Sequence, residues 1–190
     1  SKELVHKGIG WVSESQASTE GTKVYLSPVA DRYPTKDQNF GWFKVVSTHQ
    51  VAHLEFGSFD FSFDKEATLF TSLRRERSTL SPSPATAAVD MEKFFNLFSD
   101  RKLATDIFTV VEDTRLDSRV KHEYRGIRGS YQKTQQETIE QRPLIESLPL
   151  REAILELLVR ISLDQHTNLK VPARIREQVE ELIRIHLKVQ

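Results

Sequence analysis

The chain has 190 residues, of which 38% are hydrophobic and 28% are charged, as is typical of a globular domain with a substantial core. Its 27 basic and 27 acidic side chains balance, so the charge gives no reason to expect nucleic acid or an anionic membrane as the main partner. The absence of cysteine excludes disulfides and thiolate metal ligands.

The first 60 residues predict one strand and one helix. Glycines, prolines and other turn-formers surround a strand candidate, KVYL at 23–26. From Asn39 onward the apolar residues recur at helical spacing, which predicts a helix over about 41–55. Asn39 is a suitable N-cap, and Gly57 a suitable residue after the last turn.

The next 40 residues predict a strand, a loop and a short helix. Phe59, Phe61 and Phe63 alternate with small or acidic residues, as in a half-buried strand. The segment at about 74–90 is charged and then rich in proline, serine and alanine, which predicts a mobile loop. MEKFFNLF at 91–98 predicts a short amphipathic helix capped by Asp90.

The second half predicts further helices. One long helix is expected over about 101–123, and the segment after Arg125 is polar and partly a solvated helix. Apolar residues recur at helical spacing in two further stretches, one after residue 150 and one in a C-terminal helix. The apolar stripe expected for the 101–123 helix consists of Leu103, Ile107, Val110, Val111 and Thr114. The predicted fold is mainly α with a small β component, divided into a domain at 1–165 and a C-terminal helical piece at 166–190.

Two histidines within the 41–55 helix suggest a metal site. His49 and His53 are four residues apart, so their imidazoles lie one above the other and can share a tetrahedral cation such as zinc. Two ligands hold zinc poorly, and no third histidine follows at a useful spacing. The remaining source of a ligand is a carboxylate on another helix.

The acidic stretch VVEDTRLD offers that carboxylate. Glu112 is expensive to bury unless a metal or an arginine compensates its charge, so it is the predicted third ligand. Asp117 lies further along the helix and could accept a hydrogen bond from the second ring nitrogen of a ligating histidine. Asp113 and Arg115 belong to the same predicted surroundings.

A metal-free interpretation remains open from the residues alone. The histidines could be partly buried and hydrogen-bonded to Glu112 or Asp117 without any ion. Glu112 and Arg115 could form an ordinary helical ion pair, since residues three apart face each other.

Two blocks of the sequence carry a resemblance to a known family. HQVAHLEFGSFDF, followed by DIFTVVEDTRLDSRVKHEYRGIR, resembles the N-terminal region of nitric oxide reductase activation proteins, over about residues 23–165. Those proteins are similar to Rubisco-activation partners that carry a C-terminal von Willebrand factor A domain. The present sequence contains no DxSxS motif of such a domain, so it is expected to be an excised N-terminal domain or a stand-alone relative.

The resemblance implies a zincin-like, mostly helical metal-binding core. It also implies a partnership with an AAA+ ATPase of the MoxR class, in which a client metalloenzyme is remodelled or matured. In the HExxH peptidases of the zincin fold, the glutamate after the first histidine takes a proton from metal-bound water. Here that position is Gln50, which can hold a water at best. Glu55 is a weak replacement, because it projects to a different side of the helix.

Three hypotheses follow from the residues and the resemblance. The first is a metal-binding, zincin-like activator domain with weak or no peptidase activity. The second is a working zinc-dependent metallopeptidase in which Glu55, Glu112 or a substrate-fixed water replaces the missing base. The third is a metal-free helical interaction domain. With neither a bilayer-spanning apolar run nor a signal-peptide stretch in the sequence, a cytoplasmic protein is expected.

Overall fold

A computed structural model of the protein describes residues 17–20, 22–66, 74, 76, 89–163, 171, 173 and 176–189. Its described part is mainly α with a small β component, which confirms the predicted fold class. Two short strands, β1 (Ala17–Glu20) and β2 (Lys23–Leu26), pair antiparallel with Ala17 opposite Leu26. The strand predicted at 23–26 is therefore present. Every helix in the described residues is too short or too polar to cross a membrane.

Helix α1 (Lys36–Glu55) begins earlier than the sequence predicted. Its N-cap is Thr35, whose side chain accepts a hydrogen bond from the backbone N–H of Gln38 at 3.3 Å. The predicted cap, Asn39, lies one turn inside the helix. Its side-chain amide instead bonds both backbone groups of Tyr33, which fixes the chain entering the helix.

The end of α1 matches the prediction at Gly57. The backbone N–H of Ser58 bonds the carbonyl of His53 at 2.9 Å, and Gly57 has φ of 70°. This hydrogen bond across a left-handed residue is the Schellman arrangement, which favours glycine because L side chains clash there. The cap therefore sets the position of Ser58 directly beside the last turn of the helix.

The strand predicted over Phe59–Phe63 is wrong. After Gly57 the chain forms turns and irregular backbone as far as residue 66. The alternating phenylalanines reflect ring packing: Phe61 contacts Phe94 with a centroid separation of 5.3 Å. The loop predicted at about 74–90 falls largely outside the described residues.

Helix α2 (Asp90–Phe95) is shorter than the predicted 91–98. Asp90 is its first residue and not its cap, since Val89 occupies that position without a side-chain hydrogen bond. The Asp90 carboxylate accepts a hydrogen bond from the backbone N–H of Phe63 at 3.0 Å and pairs with Lys93. Asp90 thus ties the irregular segment after α1 to α2.

Helix α3 (Arg101–Glu123) has the predicted bounds, with Asp100 accepting a hydrogen bond from the backbone N–H of Leu103 as its N-cap. The predicted apolar stripe is partly wrong, because Ile107 and Val111 are more than a third exposed. The face that is buried includes two carboxylates as well as apolar side chains: Val110, Asp113, Thr114, Leu116, Asp117 and Val120.

The remaining described α-helices are α4 (Arg128–Glu140), α5 (Leu150–Ser162) and α6 (Arg176–Val189). A 3-10 turn (Arg125–Ile127) joins α3 and α4, and a second one (Ile145–Ser147) lies between α4 and α5. Helix α4 is not simply solvated, since Tyr131 is completely buried in the main core cluster. In α6, Val179 is buried with Leu157 and Ile161 of α5. The boundary predicted at 165/166 stays a prediction.

A buried ion pair fixes the chain between α4 and α5. Glu156 accepts hydrogen bonds from Arg142 at 2.8 and 2.9 Å and from Arg160 at 2.8 Å. Because the carboxylate is almost fully enclosed, the two guanidinium groups satisfy a charge that would be costly to bury alone. This network holds α5 against the segment that follows α4.

Gly57→Ala should destabilise the protein by about 1–2 kcal/mol, because a side chain at positive φ is strained and the new Cβ would lie 2.6 Å from Asp60 Oδ2. Gly41→Ala is the matched control: it lies inside α1 with no atom within 4 Å of a Cβ, so it should stabilise by about 0.5–1 kcal/mol. Urea denaturation measures both. Equal effects of the two substitutions would contradict the capping role of Gly57.

Candidate metal centre

Helices α1 and α3 pack against each other and bring two histidines to two aspartates. His49 is fully enclosed and His53 is partly accessible, and their ring centroids lie 5.1 Å apart at a steep angle. Facing them from α3 are Asp113 and Asp117, both buried. The i, i+4 spacing on each helix puts each pair on one face.

Three of these side chains have the spacing of metal ligands. Asp113 Oδ1 lies 3.4 Å from Nε2 of His49 and 4.0 Å from Nε2 of His53. One donor atom from each of the three residues falls within 4.8 Å of the other two. Ligands bound at about 2.0–2.1 Å in a tetrahedron stand roughly 3.3 Å apart, so a modest closure would fit zinc.

The second ring nitrogen of His49 is held by a carboxylate. His49 Nδ1 lies 2.8 Å from Asp117 Oδ1, and both side chains are buried. A hydrogen bond of this kind orients a metal-ligating imidazole and fixes the nitrogen that faces the metal. Asp117 therefore leaves Nε2 of His49 directed to Asp113.

The second ring nitrogen of His53 is held through a serine. Ser58 Oγ lies 3.0 Å from His53 Nδ1 and donates to Glu112 Oε1 at 2.5 Å. Since the serine proton goes to Glu112, the serine oxygen accepts from Nδ1–H of His53. The network thus leaves the lone pair of His53 on Nε2, which is the nitrogen near Asp113.

Arg115 fixes the carboxylate of Glu112 and completes a hydrogen-bonded chain, the Ser58–Glu112–Arg115 relay. Its guanidinium donates to both carboxylate oxygens of Glu112, at 2.8 and 2.6 Å, and to the carbonyl of Phe56 at 3.0 Å. The hydrogen bonds from Arg115 and Ser58 outweigh burial and keep the pKa of Glu112 below its usual range. The C-terminal turn of α1 and the relay are consequently one hydrogen-bonded unit.

Without a metal, the two histidines differ in protonation. Burial opposes charge on His49, but the carboxylates of Asp113 and Asp117 outweigh it and raise the pKa of His49 to about 10. Burial, reinforced by the charge on His49, lowers the pKa of His53 to about 4. Burial likewise raises the pKa of Asp113 to about 6, despite its contact with His49.

One polar atom at the centre lacks a partner among the residues that the structure describes. Asp113 Oδ2 is buried and accepts no hydrogen bond from any of them, although an unsatisfied buried oxygen of this kind costs about 1–3 kcal/mol. A cation bound at Asp113 would give this carboxylate a further partner. The donor set, two imidazoles and one carboxylate, is also one that zinc accepts.

The structure places a different carboxylate beside the two histidines from the one that the sequence predicted as the third ligand. Glu112, the predicted third ligand, is engaged by Arg115 and Ser58, whereas Asp113 lies between the two histidines. The two carboxylates are adjacent on α3 and point about 100° apart, so only one of them can face His49. Asp113 was predicted only as a neighbour of the ligands.

The two candidate bases occupy different places. Gln50 is buried and lines the cleft beside His53. Glu55 is exposed and bonded to the hydroxyl of Tyr124, so it does not line that cleft. No role was predicted for Ser58, although its position directly after the glycine cap indicates that it lies beside the last turn of α1.

A cleft of about 490 Å³ opens beside the histidines. Its polar lining residues are Gln50, His53, Ser58, Asp90, Thr109, Glu112 and Asp113. Its apolar lining residues are Phe59, Phe61, Val89, Met91 and Phe108. The accessible edge of His53 therefore faces a space large enough for a ligand.

Comparison with known proteins adds no relative: the chain matches no protein-family model, no curated protein and no solved structure. The chemistry of this centre therefore rests on the residues themselves.

In the metal-free protein, the imidazole of His49 should remain protonated above pH 8, while that of His53 should be neutral from pH 5 upward. Nitrogen-15 chemical shifts of the rings measure both states. Because the folded pKa of His49 exceeds the unfolded value near 6.5, its stabilising contribution is complete below about pH 6.5 and is lost as the pH rises to about 10. Titration of His49 near pH 6.5 would contradict its pairing with Asp113 and Asp117.

Proposed function

We propose that the protein is a zincin-like domain that binds zinc, or another divalent transition metal, through His49, His53 and Asp113. The observation that carries the proposal is the joint arrangement of these three donors. Both imidazoles present Nε2 to one carboxylate, and the second nitrogen of each ring is already hydrogen-bonded.

The supporting residues match what metal sites require around their ligands. Asp117 orients His49, and the Ser58–Glu112–Arg115 relay orients His53. Such partners typically change metal affinity by about 10–100-fold when they are removed. A bound metal would supply Lewis acidity to an oxygen in the cleft.

We infer that hydrolysis at this centre is weak or absent. Gln50, the side chain that follows the first histidine, cannot act as a general base near neutral pH. Glu112 forms an ion pair with Arg115, and Glu55 accepts a hydrogen bond from Tyr124 outside the cleft. Loss of a general base typically lowers a rate by about 10²–10⁴-fold.

The biological role that we propose follows the sequence resemblance to nitric oxide reductase activation proteins. In that role the domain recognises a client metalloenzyme and acts with an AAA+ ATPase to remodel or mature it. The support from the residues is indirect: a ligand set without an evident base suits recognition better than turnover. The client and the ATPase are both protein partners.

A working zinc-dependent metallopeptidase is the second candidate. The observation that favours it is the cleft of about 490 Å³ along the accessible edge of His53. On this alternative a water held by Gln50 or by the bound substrate would replace the missing base. A metal-free interaction domain is the third candidate, favoured by the hydrogen bond between His49 and Asp117, which needs no ion.

Zinc titration of single variants should separate the two adjacent carboxylates. Asp113→Ala removes a ligand and should weaken zinc binding by at least about 100-fold, whereas Glu112→Gln and Ser58→Ala should weaken it by about tenfold through the relay. Asp37→Asn, at an exposed position in the first turn of α1, is the control and should leave affinity unchanged. Competition against a chromogenic chelator gives the affinities.

A larger loss for Glu112→Gln than for Asp113→Ala would show that Glu112 is the ligand. Wild-type protein that binds no zinc, nickel or iron in stoichiometric amount would refute the metal-binding function altogether, and would leave the metal-free interaction domain.

Gln50→Glu tests the absence of a base. If the site lacks only that group, zinc-loaded Gln50→Glu should cleave a peptide library at least about 100-fold faster than zinc-loaded wild type. Glu55→Gln should leave the wild-type rate unchanged. Efficient cleavage by the wild type itself would establish the metallopeptidase alternative.

A further inference from the structure

We infer that the surface formed by the end of α3 and the turn after it binds an acidic segment of a protein partner. The residues of this arginine–tyrosine surface are all exposed: Arg119, His122, Tyr124, Arg125 and Arg128. The inference needs no metal at the histidine centre, so it goes beyond the proposed function and stands independently of it.

The first argument is a local excess of positive charge. Over the whole chain the basic and acidic side chains balance, at 27 each. The stretch 119–128, by contrast, contains four arginines and lysines, one histidine and a single acid, Glu123. Negative charge is therefore the feature that a complementary partner needs, and it would steer the encounter as well as orient the complex.

The second argument is that the arginines of this surface have no acidic partner within the described residues. Arginines elsewhere in the fold form ion pairs with carboxylates of the same chain: Arg115 with Glu112, Arg160 with Glu156, and Arg184 with Glu181. No carboxylate of the described residues forms an ion pair with Arg119, Arg125 or Arg128. The planar guanidinium group of arginine binds a carboxylate through two parallel hydrogen bonds, which suits an acidic group from a partner.

The dipole of α3 does not account for these arginines. Cations stabilise the C-terminus of a helix, but the effect falls off within the last turn. Arg119 lies before the last turn of α3, which ends at Glu123, and Arg125 lies beyond the end of the helix. Of the three arginines, Arg128 contacts the last turn, through a hydrogen bond from its Nε to the carbonyl of Lys121. The positive charge thus extends over a wider area than the helix end requires.

The third argument is that the surface is held in place before a partner arrives. The guanidinium of Arg119 lies over the ring of Phe56, 5.3 Å from its centroid. The hydroxyl of Tyr124 donates to Glu55, and the turn after α3 is anchored by Ile127, which is buried in the main core cluster. Side chains fixed in this way lose less rotamer freedom on binding.

The composition of the surface favours a protein partner over a nucleic acid or a membrane. Arginine and tyrosine are enriched at protein–protein contacts, where they carry much of the binding energy. Glu55 and Glu123 are exposed beside the arginines and would repel an unbroken run of phosphates. An acidic protein segment can instead place uncharged residues opposite these two carboxylates.

The test measures the fluorescence anisotropy of labelled peptides mixed with the 190-residue chain, which a chelator keeps free of metal. The acidic peptide alternates glycine and glutamate over about twelve residues, and two counterparts carry glutamine or lysine in place of glutamate. At about 0.05 M salt the acidic peptide should bind at least about tenfold tighter than either counterpart. At about 1 M salt, where the Debye length is about 3 Å, most of this difference should be lost.

Arg125→Glu combined with Arg128→Glu should weaken binding of the acidic peptide by at least about tenfold, because two attractive charges become repulsive. Arg101→Glu combined with Arg176→Glu is the matched control, since both arginines are exposed first residues of helices outside this surface. The control changes the net charge equally and should keep the affinity within about twofold. Arg125→Glu alone leaves the hydrogen bond of Arg128 in place and should weaken binding by about threefold. Circular dichroism checks that each variant is folded.

Equal affinity for the acidic and the glutamine peptides would overturn the inference. An equal loss in the two double variants would also overturn it, because the attraction would not be local to this surface. Tighter binding of a single-stranded oligothymidylate of the same charge, or of phosphatidylserine vesicles, would assign the surface to phosphates and overturn the choice of a protein partner. Because the chain is metal-free throughout, a failed zinc titration leaves this inference standing, and its own failure leaves the metal centre standing.

Discussion

Two carboxylates, Asp113 and Asp117, are buried in the middle of α3, and positive charge has to be present beside them. A buried carboxylate without compensation costs several kcal/mol, which is a large part of the stability of a domain this size. His49 supplies the charge as an imidazolium between the two acids, 2.8 Å from one and 3.4 Å from the other. The register of α1 against α3 is therefore fixed by electrostatics as much as by apolar packing.

The C-terminal end of helix α1 is a second constraint on the site. Ser58 can reach between His53 and Glu112 only because the chain reverses at Gly57 immediately after α1. Arg115 then connects Glu112 to the carbonyl of Phe56, the C-cap residue of α1. The geometry of the centre depends on backbone conformation four residues beyond His53, so a change at the cap is also a change at the candidate metal ligands.

The sequence predicted the elements better than the contacts between them. The bounds of α3 were predictable because Asp100 is a clear cap before a long periodic stretch. The start of α1 was not, because Thr35 and Asn39 are both good caps, and in the structure the side chain of Asn39 is bonded to the backbone of Tyr33. Polar side chains in a helical pattern normally indicate a solvent-exposed face, so the burial of Asp113 could not be predicted from its spacing. Which of the two carboxylates, Glu112 or Asp113, faces His49 depends on the rotation of α3 about its own axis.

The pairing of His49 with Asp113 and Asp117 also constrains the proposed metal site. A metal binds His49 only after the proton on Nε2 leaves, and a pKa of about 10 implies that proton competition lowers the apparent affinity at pH 7 by roughly 10³-fold. The same proton keeps the two aspartates compensated when no metal is bound, so the fold does not need the ion to satisfy their charge. A small zinc finger, by contrast, unfolds without its metal. On the proposed function, the centre is accordingly one that can be loaded and emptied while α1 and α3 stay packed.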